Sequence, residues 1–164
     1  MCVLPDHIIV SLRENGILRI DGYSDASLTP NGYDLRIAEL RTADGAQHKE
    51  GDARVPAGTF FHVSTIESVG LPSDICAQLW LRTTWIRKGV LGSFGKIDAG
   101  FQGTLTLGAF NASDEDIIIP IGERFCQMVF ETLHSPAEKT YAERSGNYQG
   151  QKGITLSPIT TQER

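Results

Sequence analysis

The sequence is short of cysteine, of long apolar runs and of positive charge, and each shortage narrows what the chain can do. Cys2, Cys76 and Cys126 are an odd set at wide spacing, which speaks against a disulfide framework and fits a reducing compartment. The run Ile117-Ile118-Ile119 is far too short to span a bilayer. The opening MCVLPDHIIVSLREN sets Pro5 and Asp6 inside the apolar stretch a signal peptide needs. The expected location is therefore the cytoplasm, with no membrane partner. Lys and Arg number 15 against 20 Asp and Glu, a net charge of -5. No nucleic-acid partner is expected from that balance, because phosphate-backbone readers carry a clustered positive excess. A small anionic ligand held by a few local cations remains allowed.

Several catalytic motifs are missing as well. A zinc nucleobase deaminase needs a His or Cys beside a glutamate, plus a close cysteine pair. His48-Lys49-Glu50 offers the first part, no Cys-x-x-Cys follows, and His48 reads as a solvated loop histidine. Gly95-Lys96 is followed by Ile97 and lacks the upstream glycine of a phosphate-cradling P-loop. Neither a Gly-x-Ser-x-Gly elbow nor a dinucleotide fingerprint occurs.

What is present reads as one compact domain of 164 residues. Residues 5–15 are expected to form a short helix, with Pro5 near its start, Ile8, Ile9 and Leu12 on one face, and Asn15-Gly16 as the stop. Beyond it, glycines and prolines punctuate short stretches of β-branched or alternating residues at 17–20, 33–40, 59–64, 75–81, 103–111, 116–119 and 125–133, the pattern of an antiparallel barrel or sandwich. From His134 onward the apolar rhythm is lost, and the polar, glycine-containing sequence reads as a mobile C-terminal arm.

Two segments carry chemistry. Arg82-Thr83-Thr84-Trp85-Ile86-Arg87-Lys88-Gly89 gathers two guanidiniums, an ammonium and two hydroxyls, either a polyphosphate site or a charged surface turn. In Gly95-Lys96-Ile97-Asp98-Ala99-Gly100-Phe101-Gln102-Gly103 an aspartate sits among glycines. Asp98 either orients and deprotonates a water or is a turn aspartate. Phe101 is either a platform facing a sugar or an ordinary strand aromatic.

Taken in order, Tyr33-Asp34-Leu35-Arg36, the 82–89 segment, 97–103 with Asn111, Gly122-Glu123-Arg124-Phe125-Cys126-Gln127, and 145–153 resemble the motifs of the dUTPase and dCTP deaminase superfamily over nearly the whole chain. Ile97-Asp98-Ala99-Gly100-Phe101-x-Gly103 and Tyr148-Gln149-Gly150-Gln151-Lys152-Gly153 are similar to the dCTP deaminase branch, which includes the archaeal-type dUTPases. The resemblance implies an all-β fold, a distorted antiparallel β-barrel or β-clip, with a barrel domain at 1–133 and a C-terminal arm at 134–164 closing over the nucleotide site. It also implies a homotrimer with sites between subunits.

By matching position, the resemblance implies that Arg82, Thr83, Thr84, Gln127 and Gln151 contact the triphosphate. Asp34 would help hold a Mg2+-nucleotide complex through water, in keeping with magnesium's habit of retaining waters and binding substrate phosphates. Asp98 would activate water, Phe101 would pack on the deoxyribose, hairpin backbone between 91 and 98 would read the base, and Tyr148 would fold over the nucleotide. Arg87, used by the deaminases beside the base, is retained, either as ancestry or in a phosphate-side role. The deaminases also place a proton-shuttling glutamate three positions before the asparagine matching Asn111; here that position is Gly108, which cannot transfer a proton. Phosphoryl hydrolysis does not need that group. The expected activity is therefore dUTP diphosphatase, with a dCTP deaminase, possibly bifunctional, and a catalytically silent nucleotide-binding homologue as alternatives.

Overall fold

The computed structural model describes residues 2–92 and 94–159. A single helix of more than one turn opens the chain, Asp6–Glu14, with Pro5 at its N-cap and Asn15 at its C-cap. Asp6 lies in its first turn and Arg13 in its last, each complementing the helix dipole. Gly16, at φ 70°, ends it in the left-handed region. The helix docks through Ile9, which is fully buried. No helix among the described residues is long and apolar enough to cross a membrane.

The rest of the fold is mostly β. A nine-stranded antiparallel sheet runs, neighbour by neighbour, through Lys96–Ile97, Ile75–Leu81, Arg124–Thr132, Gly32–Arg41, Phe60–Thr65, Thr106–Asn111 and Val90–Gly92, with Leu28–Thr29 and Gln47–His48 added beside Gly32–Arg41. The strand Gly32–Arg41 pairs through its first half with Arg124–Thr132 and through its second with Phe60–Thr65, and the register slips between Ile37 and Glu39. That irregularity turns the chain from one face to the next, as bulges do, and the sheet curls into an open antiparallel half-barrel. Arg19–Asp21, Ser68–Gly70 and Gln102–Gly103 form a three-stranded sheet, and Asp52–Val55 pairs with Ile117–Pro120.

The core fills the inside of the curl. Tyr33, Leu35, Phe61, Trp85, Phe125, Met128 and Phe130 are almost completely buried, and Phe125 meets Phe61 and Trp85 ring to ring at 6.1 and 6.0 Å. Two polar features are locked within it. Glu67, with no exposure, takes the Arg36 Nε–H at 2.7 Å and the Arg36 backbone N–H at 2.9 Å. Asn111, also fully buried, donates to the carbonyls of Val55, Pro56 and Glu115 and accepts from Ser113. Asn111 thus ties a turn together, and its hydrogen-bonding capacity is spent inside the fold.

The segment from His134 is not a free arm. It forms a short helix at Tyr141–Arg144, whose start is closed by a reciprocal Thr140 and Glu143 capping box. It then runs back along the 97–106 region, with Gly150 donating to the Gln102 carbonyl at 2.7 Å and Thr104 donating to the Gln151 carbonyl at 3.0 Å. Polarity in this segment serves backbone docking. The last five residues of the 134–164 arm lie outside the described residues.

Candidate functional site

A cavity of about 230 Å³ opens between the turn after Lys96–Ile97, the strand Thr106–Asn111 and the docked arm. Asp98, Phe101, Tyr148 and Gln151 all line it, together with Gly108, so residues far apart in sequence converge. The turn that presents Asp98 is closed by the Phe101 N–H donating to the Asp98 carbonyl at 3.1 Å. It needs Gly100 at φ 84°, a conformation other residues rarely adopt. Asp98 itself is exposed at the mouth. Phe101 is buried and meets the ring of Tyr141 edge-on at 5.4 Å; it is both a packed aromatic and a cavity wall.

The arm supplies the remaining walls. Tyr148 donates its N–H to the Tyr141 hydroxyl at 3.0 Å. Gln151 passes so close to Gly103, itself at φ 141°, that a Cβ there would lie 2.9 Å from the Gln151 carbonyl oxygen. The Gln151 side chain is 6% exposed, and its amide oxygen has no hydrogen-bond partner among the described residues. A buried polar atom left unpaired costs free energy, and a polar ligand in the cavity would complete it.

Gly108 lies under an aromatic ring. A Cβ at this position would stand 2.6 Å from Phe60 Cζ. Phe60 is held by an edge-on contact with His62, ring centroids 4.8 Å apart, and His62 is the cross-strand partner of Gly108. Among the described residues that line the cavity, Asp98 is the one carboxylate.

A second polar cluster lies elsewhere on the same sheet. Asp34, 3% exposed, is paired with Arg82 Nε at 2.9 Å and with Arg124 at 3.5 Å; Glu123 approaches Arg82 from outside at 3.8 Å. Burial raises the Asp34 carboxyl above its ordinary value, and the two guanidiniums pull against that shift. Gln127, the cross-strand neighbour of Asp34, donates to Thr29 Oγ1 at 2.7 Å. Thr83 and Thr84 are exposed and open the four-residue helix Thr83–Ile86, and Arg87, also exposed, follows it as C-cap. Trp85 anchors that turn by donating from Nε1 to the Arg124 carbonyl at 2.9 Å. Within the turn, the Trp85 and Ile86 N–H groups donate to the Arg82 carbonyl at 2.9 and 3.3 Å.

Within one chain the expected site residues fall into two clusters. Ile97 pairs with Ala77, and Arg82, just past the end of that strand at Leu81, stands five residues beyond Ala77, roughly 17 Å at the usual strand rise. Tyr141, which lines the cavity, and Arg124, which pairs with Asp34, were not singled out from the sequence. Arg124 was within reach, since it lies inside the quoted 122–127 motif. In the 91–98 hairpin, Ser93 lies outside the described residues.

A family model described as dCTP deaminase-like matches residues 46–133. The dCTP deaminase of Thermococcus kodakarensis is 40% identical over 141 residues, which cover 84% of this chain and 89% of that protein. The probable deoxyuridine 5'-triphosphate nucleotidohydrolase of Sulfolobus islandicus rod-shaped virus 1 is 33% identical over 162 residues, covering 94% and 98%. Among solved structures, the 2'-deoxycytidine 5'-triphosphate deaminase from Agrobacterium tumefaciens shares the fold with a TM-score of 0.71 at 21% identity, over 81% of this chain. This chain spans about half the length of that one, 48%.

Proposed function

Because the chain belongs to the dCTP deaminase-like family, whose model matches residues 46–133, we propose that it is a dUTP diphosphatase, converting dUTP and water to dUMP and pyrophosphate. The observation that carries this reading is Gly108 beneath the Phe60 ring. Deamination needs a group at the base that passes protons between water, ring nitrogen and departing ammonia. At Gly108 this wall of the cavity carries no side chain, and one placed there would have to displace the Phe60 ring. Hydrolysis at phosphorus asks for one oriented water and neutralised phosphate charge, and the single cavity carboxylate suits that demand.

In this reading Asp98 takes a proton from the water that attacks the α-phosphorus, and the α–β bridging oxygen leaves with pyrophosphate. Phe101 walls the deoxyribose side, Tyr148 and Gln151 close over the nucleotide, and Gln127 sits beside the phosphates. Arg82, with Thr83 and Thr84 at the start of the short helix, receives the triphosphate, and exposed Arg87 serves its outer side. Asp34, held under Arg82 and Arg124, orients those cations. No group of three or more His, Cys, Asp or Glu side chains that could hold a metal occurs among the described residues. Mg2+ would enter as a companion of the triphosphate, with Asp34, beside Arg82 and Arg124, helping to hold it through water, and when bound it would neutralise phosphate charge.

Two further assignments belong to the proposal. The roughly 17 Å between the Asp98 and Arg82 clusters, and Trp80 standing 59% exposed in the middle of a strand, support a homotrimer in which one subunit's cavity meets another's arginines. The division into a domain at 1–133 and a closing arm at 134–164 follows the change of packing at His134, and the assigned compartment is the cytoplasm. The second reading is dCTP deamination. It is favoured by the name of the 40% identical relative and by the retention of Arg87. The test of the Asp98 role is Asp98→Asn: dUMP formation should fall at least a hundredfold while unfolding temperature is unchanged, and full turnover would remove Asp98 from the mechanism.

A further inference from the structure

At the edge of the cavity, which Thr106 helps to line, Glu39, Ser64 and Thr106 stand in register on three neighbouring strands. Residues just beyond Gln151 lie on this strip. Glu39 Oε1 accepts the Ile154 N–H at 2.8 Å and receives the Ser64 hydroxyl at 3.4 Å. Thr106 Oγ1 accepts the Thr155 N–H at 2.9 Å and donates to the Gly153 carbonyl at 3.2 Å. The approach is close enough that a Cβ on Gly153, which sits at φ 63°, would lie 2.7 Å from Glu39 Oε1. The Glu39 side chain is 14% exposed, and its other oxygen meets Lys49 at 3.6 Å on the solvent side.

We propose that Glu39 is a positioning residue that latches the arm just beyond Gln151 and thereby sets Gln151 in the cavity wall. The inference rests on the assignment of the cavity as the nucleotide site. Gln151 is pinned on its near side by the Gly150 and Thr104 backbone bonds, and Glu39 supplies a charged acceptor three residues beyond it. Charge-assisted bonds to backbone N–H are stronger than neutral ones. Glu39 never touches the nucleotide in this arrangement. Its loss frees the distal end of the arm and acts on nucleotide affinity more than on the chemical step.

The test compares the wild-type protein with Glu39→Ala, Glu39→Gln, Lys49→Ala and Gly153→Ala. Two readouts are taken: hydrogen exchange of the 151–155 amides without nucleotide, and binding of the non-hydrolysable imido analogue of dUTP with Mg2+, followed by kcat and KM on dUTP. Glu39→Ala and Gly153→Ala should raise exchange at 154 and 155 at least tenfold, weaken analogue binding about tenfold, and raise KM more than they lower kcat. Glu39→Gln keeps an acceptor oxygen and should recover most of both readouts, and Lys49→Ala should change little. Unchanged exchange in Glu39→Ala overturns the latch; raised exchange with unchanged analogue binding overturns its positioning role. A wild-type protein that binds no analogue overturns the nucleotide assignment, and the exchange data still decide whether Glu39 holds the arm.

Discussion

Replacing Gly108 by glutamate would place at the cavity wall the kind of group that proton transfer at a pyrimidine requires, and the structure says what that costs. The new Cβ would stand 2.6 Å from Phe60 Cζ, where ordinary contact begins near 3.4 Å, so the ring must retreat by most of an ångström. Phe60 is 46% exposed, leaving about half of a phenylalanine's burial at stake, about 1 kcal/mol. The edge-on contact with His62 adds about 0.5–1 kcal/mol. Gly108→Glu should therefore destabilise by about 1–2 kcal/mol, a fall in unfolding temperature of about 2–8 °C for a chain of this size. It should release no ammonia from dCTP, because the displaced Phe60 ring still crowds the new carboxylate. On a Phe60→Ala background the same substitution should cost about 1 kcal/mol less, a coupling that a double-mutant cycle in thermal or urea unfolding reads directly. Equal cost on both backgrounds would show that Phe60 does not fill the space above Gly108, and ammonia from the single variant would show that the ring is no obstacle to deamination.

Two other predictions concern the frame around the site. Glu67→Ala strands Arg36, which is paired with a fully buried carboxylate at 2.7 Å; breaking such a pair should cost about 3 kcal/mol, seen as a drop of about 6–12 °C in unfolding temperature, and a drop under 2 °C would refute the assignment. Burial, with the Arg41 charge adding to it, lowers the His62 pKa below its ordinary 6.5. The unfolded chain then binds the proton more readily than the folded one, so stability present above pH 6.5 is lost as pH falls from there toward the folded value, with a slope of at most about 1.4 kcal/mol per pH unit for one proton. His62→Gln should flatten the unfolding temperature between pH 6.5 and 5, and an unaltered pH profile would refute the burial argument.

Local rules captured what local forces decide. The helix at Asp6–Glu14 follows from Pro5, the apolar face and the Asn15-Gly16 stop, and the Ile75–Leu81 strand coincides with the expected 75–81 run. The turn at Asp98 was legible from its glycines. Other features depend on partners distant in sequence. Thr104-Leu105-Thr106-Leu107 alternates as one strand, yet pairing breaks there, because the Leu105 carbonyl accepts from the Thr65 N–H at 3.1 Å and its own N–H donates to the Thr65 hydroxyl at 2.9 Å. Nothing local to Asp34 announces its burial, which is tolerable through Arg82 and Arg124, both distant in sequence. Phe60 meets Gly108 only because Phe60–Thr65 and Thr106–Asn111 are neighbours. The arm's polar composition suggested mobility, since backbone acceptors such as Gln102 and the Glu39 carboxylate leave no trace in its apolar pattern.

The proposed activity is hydrolysis of a deoxyuridine triphosphate in this cavity, with the cytosine amino group left alone. The direct measurement incubates the purified protein separately with dUTP and with dCTP in the presence of Mg2+, and resolves dUMP, dUTP, dCMP, pyrophosphate and ammonia. The account predicts dUMP and pyrophosphate from dUTP, with no ammonia from dCTP. Ammonia from dCTP would contradict it, showing that a group other than a residue 108 side chain moves the protons, and an absence of product from both would contradict it in favour of a nucleotide-binding role.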